Sequence, residues 1–368
     1  MNTFRNSNLF HVIFVVVACA LIFTIAMPNH ADAGKSKFKL LWSIYVGWMP
    51  YYYMDVSGIL DKWADAYGVE IEVVEMGYGE SIGAFASGEG DALTVTNMDQ
   101  LIGPAAAGLD ATVVIIGDYS NGNDGILVKD SSIINASNLM NYDMTMVEGS
   151  VSEYLACRYV QENGGNIKRL RVENRSDKFI ESSFPTAEAE SVAVTWNPIL
   201  MNLKQNPDLD EIYNSSQIPG EILDNLIINT ASLKKPGGEN FAKAVVGAWY
   251  EMMQIMSRRQ SPEAKKAKEF MAEHSPCSVP EFEAQLSTTF LFSTPKSAVE
   301  YARGAEIKEK MDKVRQVCFD RGLIQQAKTV DALGILYPDG TVQGNPKNIK
   351  MRFDTSFMQM AADGLLKR

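Results

Sequence analysis

Histidine is nearly absent from this chain: three occur in 368 residues, at His11, His30 and His274. The first two sit in "MNTFRNSNLFHVIFVVVACALIFTIAMPNHADAG". There Arg5, an apolar run from Leu9 to Met27, and Ala31-Asp32-Ala33 follow the order of a secretory leader, so cleavage is expected after Ala33. An uncleaved anchor is the alternative, because the run is just long enough to span a bilayer. A lipoprotein box ending at Cys19 is disfavoured because the apolar run continues well past it. With residues 1–33 removed, only His274 is left, in the turn-like "AEHSPCSVP". Ser-His-Asp, Cys-His and multi-histidine metal chemistry therefore lack their parts.

Cysteine is sparse too. Cys157, Cys277 and Cys318 remain, an odd number with no C-x-x-C pair, which excludes an even-numbered disulfide framework and a zinc knuckle while leaving one disulfide open. Lys and Arg total 34 against 45 acids, giving a net charge of −11. Without a basic stretch the chain is unsuited to nucleic acid or an anionic membrane surface. After the leader no apolar run is long enough to cross a bilayer. There is no internal repeat, and "GKS" at Gly34–Ser36 lacks the upstream glycine of a phosphate-binding loop.

What is present is alternation. "FKLLWSIYV" reads as a strand, "YYYMDVSGILDKWADAYG" as an amphipathic helix, "VEIEVVEM" as a strand, "SIGAFASGEG" as a short helix and "DALTVTN" as a third strand. "MDQLIGPAAAG" is then helical and "ATVVIIGDYS" a fourth strand. A second unit follows, in which Ser150 and Glu153 have capping-box spacing at a helix start and "SVAVTWNPIL" is an apolar strand. "EILDNLIINTASL" is a strand able to return the chain to the first unit. "ILYPDGTVQG" near the end gives two short strands about a turn. The sum is a mostly parallel α/β protein with ligand sites expected beyond the strand ends.

The order of leader, aromatic loop, "GDALTVTNMDQL", "GDYSNGNDGI", "VEGSVSEYL", "AVTWNP" and "IPGEI" resembles periplasmic solute-binding proteins of the sulfonate, taurine and pyrimidine-precursor type. Within that group it is most similar to binding components encoded beside urea carboxylase, which are tied to urea and guanidine. The resemblance implies a type II periplasmic binding protein fold with two lobes, a hinge and an interlobe cleft. Residues 34–130 and 222–330 would form lobe 1, 131–221 lobe 2, and 331–368 an extension packing on lobe 1. It also implies a monomer that delivers a small molecule to the membrane permease of an ABC importer, with no enzymatic step, cofactor or metal. A fungal pyrimidine synthase resembles the same group, but it relies on histidine and a cysteine cluster that this chain lacks.

The strand-end loops carry Asp55, Glu80, Asp99, Asp118, Asp124, Glu148, Glu153 and Glu221 and no lysine or arginine. That pattern disfavours sulfonate, nitrate or phosphate and suits a cation or a neutral hydrogen-bond donor, guanidinium first and urea next. The residues expected at the ligand are Trp48 and one or two of Tyr51, Tyr52 and Tyr53 on one side, with Trp196 and Asn197 on the other. Asn97, Asp99, Asp118, Glu148 and Glu221 complete the set. Each has a bland alternative: Asp99, Glu148 and Glu153 as helix caps, Glu221 as a hinge contact. Trp42, Tyr45, Trp63 and Trp249 read as core. The alternative ligands are a pyrimidine or thiamine precursor stacked between Trp48 and Trp196, or a sulfonate- or nitrate-type anion.

Overall fold

In a computed structural model the described residues are 34–132, 134, 138–188 and 191–367. The expected leader and Cys19 lie outside them. Among the described residues, fourteen strands form two sheets.

The first sheet begins with β1 (Ser36–Trp42), β2 (Val69–Glu75), β3 (Ala92–Thr96) and β4 (Ala111–Ser120). β5 (Asp124–Val128), β6 (Asp143–Met146), β7 (Arg171–Asn174), β8 (Val192–Trp196) and β9 (Asp210–Asn214) make the second. The chain then returns with β10 (Leu223–Asn229) and ends with β11 (Thr289–Leu291), β12 (Gly334–Leu336), β13 (Val342–Gly344) and β14 (Ile349–Phe353).

The orders are β13-β12-β14-β4-β10-β3-β1-β2, with β11 on β4, and β7-β6-β8-β5-β9. In each sheet one strand supplied from across the hinge runs antiparallel between its two neighbours: β10 between β3 and β4, β5 between β8 and β9. The central strands read as continuous apolar runs because helices cover both faces. β3 and β5 are buried along their whole length.

Several boundaries differ from the sequence reading. The first crossing falls at residues 121–123, not near 130, because β5 already pairs in the second sheet. The tail is not a separate extension, since β14 pairs in parallel with β4 and so builds into the first sheet. The single first helix is two, α1 (Met49–Val56) and α2 (Ile59–Ala66), broken where Gly58 takes φ +75, a conformation that costs glycine nothing. Cys157, Cys277 and Cys318 are free thiols.

α3 (Val151–Glu162) starts where expected, but the box does not form as read. The Ser150 hydroxyl accepts from Ser152 N–H, while the Glu153 carboxylate accepts from Gly149 N–H at 2.9 Å. Two donors at this helix end are therefore used by the protein's own side chains. α4 (Gly238–Ser257) packs its apolar face on the first sheet, with Phe241 stacked on Phe38 at 4.7 Å. α5 (Ala305–Asp320) contacts both lobes, and Arg321 after it donates to Glu153 at 2.7 Å and to the Ile167 carbonyl at 2.9 Å. Among the described residues no helix is long and apolar enough to cross a membrane.

Candidate functional site

The two crossings between the sheets are tied to each other. The Ser120 and Ser215 hydroxyls lie 2.6 Å apart, and Gly122 N–H donates to Ser215 at 2.8 Å. Directly beside them the Ser120 hydroxyl also donates to Asp124. Asp124 thus stands on the hinge, at the first residue of β5, opposite Trp196 at the last residue of β8.

Between the sheets is a cavity of about 50 Å3, in the measure where one water takes roughly 10–15 Å3. It has room for about four water-sized groups. The first lobe lines it with Ser43, Ile44, Tyr45 and Trp48 from the loop after β1, with Tyr78 and Thr96, and with Ile222 and Asp224 from the return crossing; the second contributes Asp124, Val151 and Trp196. Among the described residues its lining contains no lysine, arginine or histidine.

Trp48 packs edge-on to Tyr45 and tilted against Tyr78. Trp48 meets Tyr45 at 5.1 Å and Tyr78 at 5.4 Å, so the indole is held on both sides. The bend that brings Trp48 there needs Gly47, because a Cβ at that position would stand 2.4 Å from Asp118 Oδ2. Three polar atoms of lining residues find no protein partner: Ser43 Oγ, Trp48 Nε1 and Asp124 Oδ1. Buried polar groups are ordinarily satisfied, so these three atoms call for a partner that the protein does not supply, a water or a ligand.

Beneath the lining, Asp118 on β4 faces Asp224 on β10 as a cross-strand pair, and Tyr45 OH donates to Asp118 at 3.5 Å. Like charges so placed resist ionising together in a buried site, so the pair is pushed toward keeping a proton. Burial pushes both upward, and the neighbouring Asp118 charge raises Asp224 further. Burial likewise lifts Asp124 to about 7, with the Ser120 hydrogen bond opposing and Asp99 adding. Asp99 is raised to about 6 by burial, against hydrogen bonds from Tyr78 and Thr96.

These raised values fix the sign of a pH effect. The folded, ligand-free protein holds protons near pH 7 that the unfolded chain releases at its ordinary carboxyl range, so stability falls as pH rises from about 4 toward 7 and beyond. We expect the ligand-free Tm to drop by several degrees between pH 6 and pH 8 in a scanning calorimeter. The size follows from roughly 1 kcal/mol per raised group over that interval.

Of the residues expected at the ligand, Trp48 and Trp196 line the cavity and Asp118 lies behind the lining, paired with Asp224. The others stand elsewhere. Tyr51 is buried against Trp249 at 5.0 Å, and Tyr52 stacks on His274 at 3.8 Å. Tyr53 packs edge-on to Phe270. The Asn97 amide donates to the Glu221 carbonyl at 2.9 Å and accepts from Leu223 N–H at 3.1 Å, bracing the return crossing. Asp99 is engaged by Thr96 and Tyr78 and is not in the lining. Asn197 bonds Asn123 at 2.9 Å and Thr288 at 3.2 Å, tying β8 to the hinge.

Glu148 is exposed, and its backbone N–H donates to Asn174 Oδ1. Glu221 is taken by Arg158 at 2.6 Å, Tyr154 at 2.7 Å and Lys313 at 3.3 Å. The absence of basic residues from the strand-end loops therefore does not leave every acid uncompensated. Glu153 draws its cation from Arg321 and Glu221 from Arg158 and Lys313, whereas among the described residues the buried acids Asp99, Asp118, Asp124 and Asp224 have none. Tyr45, Tyr78 and Asp224 were the residues missed. Asp224 had a signal, an acid within the apolar run "ILDNLII", whereas nothing in the sequence turns Tyr45 out of the core.

Two sheets joined by two crossings, each with its antiparallel strand and a cleft between, define the periplasmic binding protein fold, and solved structures agree. The alkanesulfonate-binding protein SsuA of Xanthomonas axonopodis pv. citri, bound to MOPS, matches at TM-score 0.64 and 14% identity, over 80% of this chain and 96% of that one. The aliphatic sulphonate binding protein SsuA of Escherichia coli matches at 0.65 and 14%, over 79% and 94%. A Candida albicans protein described as having the generic periplasmic binding protein fold matches at 0.59 and 14%, over 80% and 92%. At these identities the likeness is one of fold. No protein-family model and no curated protein matches the sequence.

Proposed function

We propose that this chain is the extracytoplasmic solute-binding component of an ABC importer and captures a small, planar, nitrogen-rich cation, guanidinium first. The observation that carries this reading is the cavity itself: Asp124 and Asp224 face an aromatic enclosure of Tyr45, Trp48, Tyr78 and Trp196 with no basic group in the lining. A guanidinium has four heavy atoms, the size the cavity accommodates. Its N–H fork pairs with carboxylates and its faces lie on aromatic rings, each ring contact contributing roughly 0.5–2 kcal/mol.

In this reading no bond is made or broken. The ligand bridges Asp224 of one lobe and Asp124 of the other, so its binding favours the closed arrangement that the permease reads. The leader directs export to the periplasm, and the permease and ATPase are separate subunits. The two SsuA proteins bind sulfonates by name, but a sulfonate here would meet buried carboxyls, and two N–H groups around the start of α3, those of Ser152 and Gly149, are already engaged by Ser150 and Glu153. Urea is the second reading, favoured by the Trp48 N–H, which only donates and finds no acceptor in the protein.

A thermal-shift panel of mature protein with guanidinium, urea, methylguanidine, taurine and an aminopyrimidine tests the proposal. Guanidinium is expected to give the largest rise in Tm and taurine none. A rise with taurine and none with guanidinium overturns the cation reading.

A further inference from the structure

We propose that the cleft exchanges protons for its ligand: the acids Asp118, Asp124 and Asp224 hold protons in the ligand-free protein, and entry of one cation expels about one of them to solvent. This inference rests on the cationic reading above and adds a coupling to it.

The geometry comes first. Asp118 and Asp224 oppose each other on neighbouring strands, and Asp124 stands at the other side of the cavity on β5. All three are buried. The titratable groups around them are Tyr45 from the loop after β1, Tyr51 from α1, Tyr78 from the helix after β2, Asp99 from the short helix after β3, and the acids themselves on β4, β5 and β10. None of these is basic. Three buried carboxyls with no counter-cation do not all ionise together near neutral pH, because that would desolvate like charges side by side. That Ser43 Oγ and Asp124 Oδ1, in residues each 3% exposed, are left unpartnered gives the cavity two acceptors open to a donor-rich ligand, so it is more than an acidic cluster. The raised values of Asp124 and of the Asp118–Asp224 pair agree in direction.

The step balances simply. A carboxyl O–H gives its proton to water, the carboxylate remains, and the incoming cation takes the place of the positive charge that left. The net charge of the cavity is unchanged, so the ligand enters without paying for an unbalanced buried ion. Guanidinium keeps its own proton throughout, as its ordinary pKa is far above this range. Proton and ligand therefore compete, and affinity weakens as pH falls below about 7, by up to tenfold per unit when one proton is displaced.

Calorimetric titration of the mature protein with guanidinium chloride, in buffers of low and high ionisation heat at pH 6, 7 and 8.5, reads both quantities. We expect about one proton released per ligand at pH 6, less at pH 8.5, and affinity at least tenfold weaker at pH 6 than at pH 8.5. Asp118→Asn is expected to reduce the release and flatten the pH dependence, because an amide leaves Asp224 no acid to share a proton with. Guanidinium binding with equal affinity and no proton release at pH 6 and 8.5 overturns this inference while leaving the cationic reading intact. Absence of guanidinium binding at every pH overturns both.

Discussion

Asp124→Asn is expected to weaken guanidinium binding by about a hundredfold, read as Kd by calorimetry at pH 8, while leaving the ligand-free protein as stable as before or slightly more so. The two halves of this result come from one fact. Asp124 is buried, its Oδ2 accepts from Ser120, and its Oδ1 has no protein partner. The carboxylate is therefore a cost to the ligand-free fold that a cation removes. An amide of the same shape keeps a polar contact with Ser120, drops the ionisable group, and gives the cation nothing to pair with. Losing one partner of a buried charge pair costs roughly 2–5 kcal/mol, and a hundredfold is near the low end of that range. If the variant instead loses stability with its affinity, Asp124 is a structural member of the hinge and not a ligand contact.

Glu221→Ala is expected to do the opposite, destabilising the protein by roughly 3–5 kcal/mol in denaturant unfolding with only a secondary effect on binding. Its carboxylate is 2% exposed and receives Arg158, Lys313 and the Tyr154 hydroxyl at one point beside the return crossing. Removing it strands the half-buried Arg158 guanidinium and a buried phenol. Burial alone would raise this carboxyl, but hydrogen bonds from Arg158 and Tyr154 and the charge of Lys313 hold it below its ordinary range. A depressed folded-state value means the contribution is fully present above about pH 4.5 and is lost as pH falls below it. The wild-type protein should thus lose stability in acid through Glu221, and the variant should show a shallower acid limb.

The contrast between these acids explains what the sequence could and could not convey. Alternating apolar runs and helical periods were enough for the two-unit α/β architecture, because strands covered on both faces must be apolar throughout. The start of α3 was readable from Ser150, yet the use made of Glu153 was not, since it depends on Arg321, which is remote in sequence and adjacent only once α5 spans the lobes. The same holds for Glu221, whose partner Lys313 lies 92 positions away. Charge balance within a sequence window is blind to such pairing.

The aromatic loop behaved similarly. Trp48 follows the strand and turns into the cavity, but Tyr51 and Tyr52 enter α1, whose 3.6-residue period carries them toward Trp249 and His274. Tyr45 is buried as a core residue would be, yet its hydroxyl reaches Asp118, a contact set by the bend at Gly47 and not by residue type. Asp224 shows where a sequence rule works in reverse: an acid inside an apolar strand violates the pattern, and such violations gather at functional sites.

The most direct test is a crystal structure of the mature protein grown with guanidinium chloride. We predict a flat, three-armed ligand between Trp48 and Trp196, with N–H groups within hydrogen-bond distance of Asp124 and Asp224. A tetrahedral anion in that cavity, or a cavity left to water while guanidinium binds elsewhere, would contradict the account.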